Sequence, residues 1–359
     1  MYTPGFGSVE ASPFGTNSSS KPEPVMASLS SPPSVSFGQA TTSGIKFGLG
    51  PFPAPSSETK SAPKTEKAKK TQIPPLDFIP LLENQWRNMD WSEEAKEALM
   101  ESVRSFKPAS ESVTEARVLL IGPVGAGKSS FISSVQSVFS GRVINRAMVG
   151  SSSATSFTKK LRSFSIRGAG EKADEPTALV MCDVMGVGEG ETTGLTLHDA
   201  LSVIKGHAPE GHQFSPEQPV GADTVGYVRK PSATDKVHCV VFVVDASKVA
   251  SYAKSFGTTF QQLREHISNL GVHQVALLTH VDQVCKATGS DVTHVYRSQS
   301  VQQAMLKAGA LLGMATSYIV PVKNYCSELD LDENTDTLLL KAVDHILQYV
   351  NLYFQDNSD

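Results

Sequence analysis

The sequence predicts an α/β domain, a mainly parallel sheet flanked by helices, preceded by a disordered N-terminal tail. Three observations predict it. From Arg117 onward, short apolar runs alternate with amphipathic stretches, the pattern of strands joined by crossover helices. One such run, Val118–Ile121, leads directly into a glycine-rich turn, Gly122-Pro-Val-Gly-Ala-Gly127-Lys128-Ser129. The first seventy or so residues are instead rich in Pro, Ser, Gly and Thr, with too few large apolar side chains to offset the entropy of ordering them.

Taken in order, residues 1–75 form the tail. Phe-Gly recurs in it at Phe6, Phe14, Phe37 and Phe47, pairs similar to weak docking motifs of nuclear-pore proteins but first of all a compositional feature of low-complexity sequence. A lysine cluster between Lys60 and Lys70 lies among polar residues and reads as a solvated linker. Order is expected from near Leu76, and residues 76–110 form a helical lead-in. Asp90, with Glu93 three residues on, reads as its N-cap. Trp91, Ala95, Leu99, Val103 and Phe106 line one face that docks on the domain at 111–355, and Pro108 stops the helix. A helix at Lys128–Phe139 follows the first strand. Further strands are predicted at Leu161–Arg167, Ala178–Asp183, Val237–Asp245, Gln274–Thr279 and Tyr318–Val322. Further helices are predicted at Leu197–Lys205, Thr258–Leu270, Ser298–Leu312 and Thr337–Tyr353. The Pro- and Gly-rich stretch at 207–236 reads as a surface insertion.

The chain has 359 residues, 40% of them apolar and 19% charged, with a net charge of −4. That balance gives no basic footprint for nucleic acid. Cys182, Cys239, Cys285 and Cys326 form no CxxC pair and no zinc spacing with the histidines. Met1–Ser20 has neither the basic start nor the apolar run of a signal peptide, and the longest apolar stretch, Cys239–Ala246, is too short to span a bilayer. These features lead to the expectation of a soluble, intracellular protein without a transmembrane segment.

The turn at 122–129 fits GxxxxGK[ST] at every fixed position, in the strand-to-helix context that gives the motif meaning. Its glycines let backbone N–H groups converge on phosphate oxygens, where the following helix adds its positive end. Gly122, Val124, Gly125, Ala126, Gly127, Lys128, Ser129 and Ser130 are the predicted nucleotide contacts. Lys128 reaches the β- and γ-phosphates, and Ser129 ligates Mg²⁺.

Asp183-Val-Met-Gly186 ends a predicted core strand, so Asp183 is placed for Mg²⁺ and the Gly186 N–H for a γ-phosphate. Thr279-His280-Val281-Asp282 ends another. GTP-binding proteins carry [NT]KxD there, and its Asp accepts the N1–H and amino protons of guanine. Thr279, His280 and Asp282 are therefore predicted base-side contacts, with His280 in place of a lysine. The competing reading of Asp282 is a helix-capping acid. Val187 occupies the position at which Ras-like proteins hold the glutamine that orients water, so slow hydrolysis is expected. Gly186, Gly188, Gly190 and Gly194 mark this segment as a mobile switch. Between Val149 and Lys160, Thr155 and Thr158 are the candidate Mg²⁺ ligands of the other switch, Thr155 being the one assigned to the metal.

With these motifs placed, the chain resembles the interferon-induced protein 44 family. The resemblance is carried by Leu119–Phe131, Met148–Gly150, Arg162–Ile166, His238–Ser247 and Val275–Asp282, the His of the last segment included. It extends over roughly Asp90 to the C-terminus. It implies a Ras-like P-loop GTPase domain binding GTP or GDP with Mg²⁺, and a cytoplasmic, interferon-inducible role in antiviral or innate immune responses. Some relatives carry an N-terminal TLDc-type domain where this chain has its tail. A GTP switch implies a regulatory protein partner, and analogy with related immune GTPases adds a homodimer across the nucleotide face. The rival expectations are a non-hydrolysing nucleotide-binding adaptor and an ATP-dependent P-loop enzyme; Thr279–Asp282 stands against the last.

Overall fold

The computed structural model of the chain describes residues 81–144, 158–168, 176–188 and 193–357. The tail, the onset of order near Leu76, Met148–Gly150, Thr155 and Gly190 lie outside the described residues. The described elements are α1 (Glu93–Ser105), β1 (Ala116–Ile121), α2 (Lys128–Ser140), β2 (Arg162–Arg167), β3 (Pro176–Asp183), α3 (Leu197–Ile204) and β4 (Cys239–Asp245). They continue with α4 (Lys254–Asn269), β5 (His273–Thr279), α5 (Val281–Val284), α6 (Lys286–Ser290), α7 (Gln299–Leu312), β6 (Ile319–Pro321) and α8 (Glu333–Asp356).

One sheet runs in the order β2-β3-β1-β4-β5-β6. Only β2 is antiparallel to its neighbour; every other pair is parallel. This order, with the glycine-rich turn leaving β1, is that of a Ras-like P-loop GTPase domain. Side chains alternate across the sheet, and the core divides accordingly. Leu119, Ile121, Val240, Phe242, Val244, Ala276 and Leu278 face one layer, built by α3, α4 and α7. Val118, Leu120, Val241, Val243, Val275 and Leu277 face the other, built by α1, α2 and α8. Both faces being covered, β4 is buried at every position, which is why its sequence is an unbroken apolar run rather than an alternating one.

Register brings the strand ends into line: Leu120 lies beside Asp183, and Asp245 beside Thr279. The carboxyl ends of β1, β3, β4 and β5 thus share one rim of the sheet, where open α/β sheets take their ligands.

Several expectations need adjustment. The N-cap of α1 is Ser92, not Asp90: the Ser92 hydroxyl accepts the Ala95 N–H, while the Asp90 carboxylate accepts the Ser92 N–H at 3.0 Å and so turns the chain into the helix. Helix α4 begins four residues before Thr258 and carries Gly257 inside it. Helix α8 also begins four residues early, because Asp332 accepts the Thr335 N–H as cap. Tyr318 belongs to a 3₁₀ turn before β6 rather than to the strand. Residues 81–91 clamp the body of the domain: Leu82 and Trp86 donate backbone N–H groups to Arg297 and Tyr296, and Arg87 donates to the carbonyls of Ile319 and Thr316, each at 2.8 Å. The stretch at 207–236 does more than cover surface. The Leu161 N–H donates to His212 and the Phe214 N–H to Lys159, extending the sheet past the start of β2.

Candidate functional site

The turn after β1 is shaped by what lies around it. A Cβ on Gly122 would come within 2.0 Å of the Val243 carbonyl oxygen of β4, so this position admits hydrogen alone. Gly127 has φ +89°, a left-handed conformation that releases the chain into α2 and that bulkier residues resist. Lys128 is buried, and its ammonium donates to the carbonyls of Gly122 and Pro123 at 3.0 and 3.1 Å. The lysine thus folds back over the turn where phosphate oxygens would sit. Burial lowers its pKa to about 8, against the raising influence of Asp183.

Three oxygens converge beside it. The Ser129 hydroxyl donates to Asp183 Oδ2 at 2.5 Å, and Thr158 donates to the same oxygen at 3.1 Å. The two hydroxyl oxygens are 3.2 Å apart. Asp183 Oδ1 is buried without a hydrogen-bond partner among the described residues, and burial holds its carboxyl above the usual range despite Lys128. A buried carboxylate oxygen lacking a donor, next to two hydroxyls, is an all-oxygen set that fits Mg²⁺ better than any softer metal. Ser129, Thr158 and Asp183 would hold that ion. Of the two threonines singled out in sequence, the structure places Thr158 here, and Thr155 lies outside the described residues.

Gly186 and Val187 lie against the turn. A Cβ on Gly186 would stand 2.8 Å from Val124 Cγ2, and the Val187 N–H donates to the Gly122 carbonyl at 3.0 Å. The Val187 side chain is buried at 3% exposure in the core. The described ends of the glycine-rich segment are tied together, Gly188 N–H to Thr193 and Leu195 N–H to Gly186.

At the end of β5, the Thr279 hydroxyl lies 2.8 Å from the Ala126 carbonyl and 3.2 Å from that of Val244. His280 has φ +55°, the one non-glycine residue with positive φ among those described. This strained turn sets its ring against the phosphate turn, with Cε1 3.5 Å from where a Gly127 Cβ would be. With the Thr279 proton committed to carbonyl oxygens, the 2.9 Å contact to His280 Nδ1 makes Nδ1 the protonated nitrogen. The Asp282 side chain is half-buried. Its carboxylate accepts no hydrogen bond from the described residues and is near enough to Cys326 to help burial and Glu328 raise that thiol's pKa.

Curated relatives match nearly three-quarters of the chain. Interferon-induced protein 44 of Mus musculus is 34% identical over 258 residues, covering 72% of this chain and 60% of the relative. The human protein is 35% identical over 263 residues, covering 73% and 58%, and human interferon-induced protein 44-like is 33% identical over 263 residues, covering the same shares. The matched segment belongs to the interferon-induced protein 44 family. It spans about three-fifths of the length of these relatives. No protein-family model matches. Solved structures similar to the chain include a dimerization-deficient mutant of Toc33 from Arabidopsis thaliana, 15% identical over 72% of this chain and 92% of that one, with a TM-score of 0.40. Another is Aquifex aeolicus Era bound to GDP·AlF4⁻, 12% identical over 65% and 56%, with a TM-score of 0.35.

This member of the interferon-induced protein 44 family carries site residues that sequence reading missed. Asn324, after β6, donates to the Gly127 carbonyl at 3.2 Å, while its Oδ1 is buried and without a partner among the described residues. Nothing in Val322-Lys-Asn-Tyr325 marks it, since an asparagine after a strand reads first as a turn residue. Asp245, buried at the end of β4, lies with Oδ1 3.6 Å from His280 Nδ1 and Oδ2 3.2 Å from Lys248 Nζ. An acid closing an apolar strand was the available signal, as it was for Asp183.

Proposed function

We propose that the chain is a guanine-nucleotide-binding protein, a Mg²⁺–GTP-dependent regulator of interferon-induced, cytoplasmic antiviral and innate immune responses, with slow or partner-dependent hydrolysis. The observation that carries this reading is the Thr279–Ala126 hydrogen bond. It holds the segment bearing Asp282 to the turn that would cradle phosphates, so base and phosphate contacts occupy one frame. Asp282 would accept the paired donors of guanine, which adenine lacks. Lys128 would exchange the carbonyls of Gly122 and Pro123 for phosphate oxygens, and the N–H groups of residues 124–130 would complete the cradle. Bound Mg²⁺ would neutralise phosphate charge between Ser129, Thr158 and Asp183. A protein partner and a homodimer across the nucleotide face belong to the same proposal.

Slow turnover follows from the surroundings of the phosphate end. Val124 and Val187 face one cavity there, and neither side chain can hold or orient a water. A second reading, a nucleotide-binding adaptor that never turns GTP over, is favoured by the burial of Val187. Calorimetric titration of the nucleotide-free chain with GTP, GDP and ATP, with and without Mg²⁺, tests both. Tight GTP binding with little ATP binding is expected, and a gap between GTP and GDP separates the switch from the adaptor, for which the two bind equally. Lys128→Ala abolishes binding. Asp282→Asn weakens GTP and improves xanthosine triphosphate; unchanged GTP affinity in that variant refutes base reading by Asp282.

A further inference from the structure

His280 stands where GTP-binding proteins carry a lysine, and its ring lies against the phosphate turn. A cation reaches the turn from another element. Lys248 follows β4, and among the described residues its ammonium is the one group within 4 Å of the place a Cβ on Gly125 would occupy, at 3.8 Å. Its backbone is fixed: the Lys248 N–H donates to the Asp245 carbonyl, and the Lys248 carbonyl accepts from Ser251 and Tyr252. Its arm is not, for the side chain is 55% exposed and, among the described residues, paired with Asp245 Oδ2 alone. Asp245 keeps partners at its other oxygen when that pair opens. Its Oδ1 accepts the Ser247 N–H at 2.9 Å and the Ser247 hydroxyl at 2.6 Å, and His280 stands beyond them. Lys248 also borders a cavity of about 740 Å³ between the phosphate turn and α4, where among the described residues Lys159 is the other cation and Val124, Met185, Val187 and Phe256 supply apolar wall.

We propose that Lys248 is a nucleotide ligand, whose ammonium leaves Asp245 for the phosphate chain and brings positive charge to the turn from another element. A di- or triphosphate carries more negative charge than one carboxylate, and an ammonium beside the turn moves to it by rotation of the lysine side chain alone. This inference rests on the guanine-nucleotide reading and adds a residue to it.

The test is calorimetric titration of the full chain, freed of nucleotide, with GDP and GTP at low and high salt. The natural chain is compared with Lys248→Met, Lys248→Gln and Lys248→Arg, each checked for an unchanged melting temperature. Met and Gln are expected to weaken both nucleotides about tenfold or more, the loss of one charge-assisted contact, and to flatten the dependence of affinity on salt. Arg retains most of the affinity and the steeper salt dependence. Affinity and salt dependence unchanged in Met and Gln, with the natural chain binding, overturn the assignment of Lys248 and leave the functional reading standing. A loss of affinity in Met and Gln with unaltered salt dependence also overturns it, because the lysine then acts through packing. No binding by the natural chain defeats the functional reading and this inference with it.

Discussion

Thr279 has one hydroxyl proton and places it between two carbonyls, Ala126 of the phosphate turn and Val244 of the neighbouring strand. Thr279→Val keeps the shape of the side chain and removes that proton, and with it the side-chain tie to the Ala126 carbonyl. The expected cost is about 1–3 kcal/mol, read by urea denaturation, together with weaker binding of GTP, since the base-side segment loses its tie to the cradle. Gly122 makes a sharper case. The Val243 carbonyl lies where an alanine methyl would have to go, and strand β4 is packed on both faces, so neither partner has room to yield. Gly122→Ala is expected to destabilise the domain by about 3 kcal/mol, visible as a lowered melting temperature before any nucleotide is added.

Among the elements, β2 is the strand that most depends on what covers it. It lies at one edge of the sheet, where unpaired N–H groups invite another chain. Glu210 closes part of that edge: its carboxylate accepts the Ser163 N–H at 2.8 Å and the Ser163 hydroxyl at 2.6 Å. In Glu210→Ala the amide of Ser163 is expected to exchange with deuterium faster, at a stability cost of about 1 kcal/mol; unchanged exchange would mean that the glutamate does not guard the edge. On the opposite side of the sheet, Ile346 of α8 is fully buried, and Ile346→Ala should cost about 2–5 kcal/mol in denaturation experiments. The central strands were legible in sequence because burial on both faces writes them as continuous apolar runs, and the cradle because its glycines and lysine have fixed spacing. The early starts of α4 and α8 were less legible, since Gly257 weakens one helical pattern and the first turn of the other, Glu333–Asp336, is polar. The pairing of residues 211–214 with 159–161 is made by backbone groups, which side-chain patterns do not record. Asn324 and Lys248 join the site through tertiary approach, and local sequence contains no trace of that.

For the whole molecule, acid stability turns on a histidine remote from the cradle. His238 is fully buried between β1 and the C-terminal end of α8, accepting the Arg117 N–H at Nδ1 (2.9 Å) with Nε2 3.0 Å from the Ala233 carbonyl. Burial lowers its pKa from 6.5 to about 4. Between those values the unfolded chain takes up a proton that the folded chain refuses, so stability falls as pH falls through this window, by up to about 1.4 kcal/mol per pH unit. The slope levels off below pH 4, where both states are protonated. Urea denaturation from pH 7 to 4.5, compared with His238→Gln, isolates this contribution from that of the carboxylates; equal slopes in the two proteins would refute it. The tie between Thr279 and Ala126 has a consequence at the rim of the sheet. Because the end of β5 is bolted to the turn after β1, the span from Asp282 to the cradle is a gauge set before any ligand arrives. Under the proposed reading, a nucleotide touching both ends would be judged by its length as well as by its chemical letters, and one that fits would meet jaws already at the right opening.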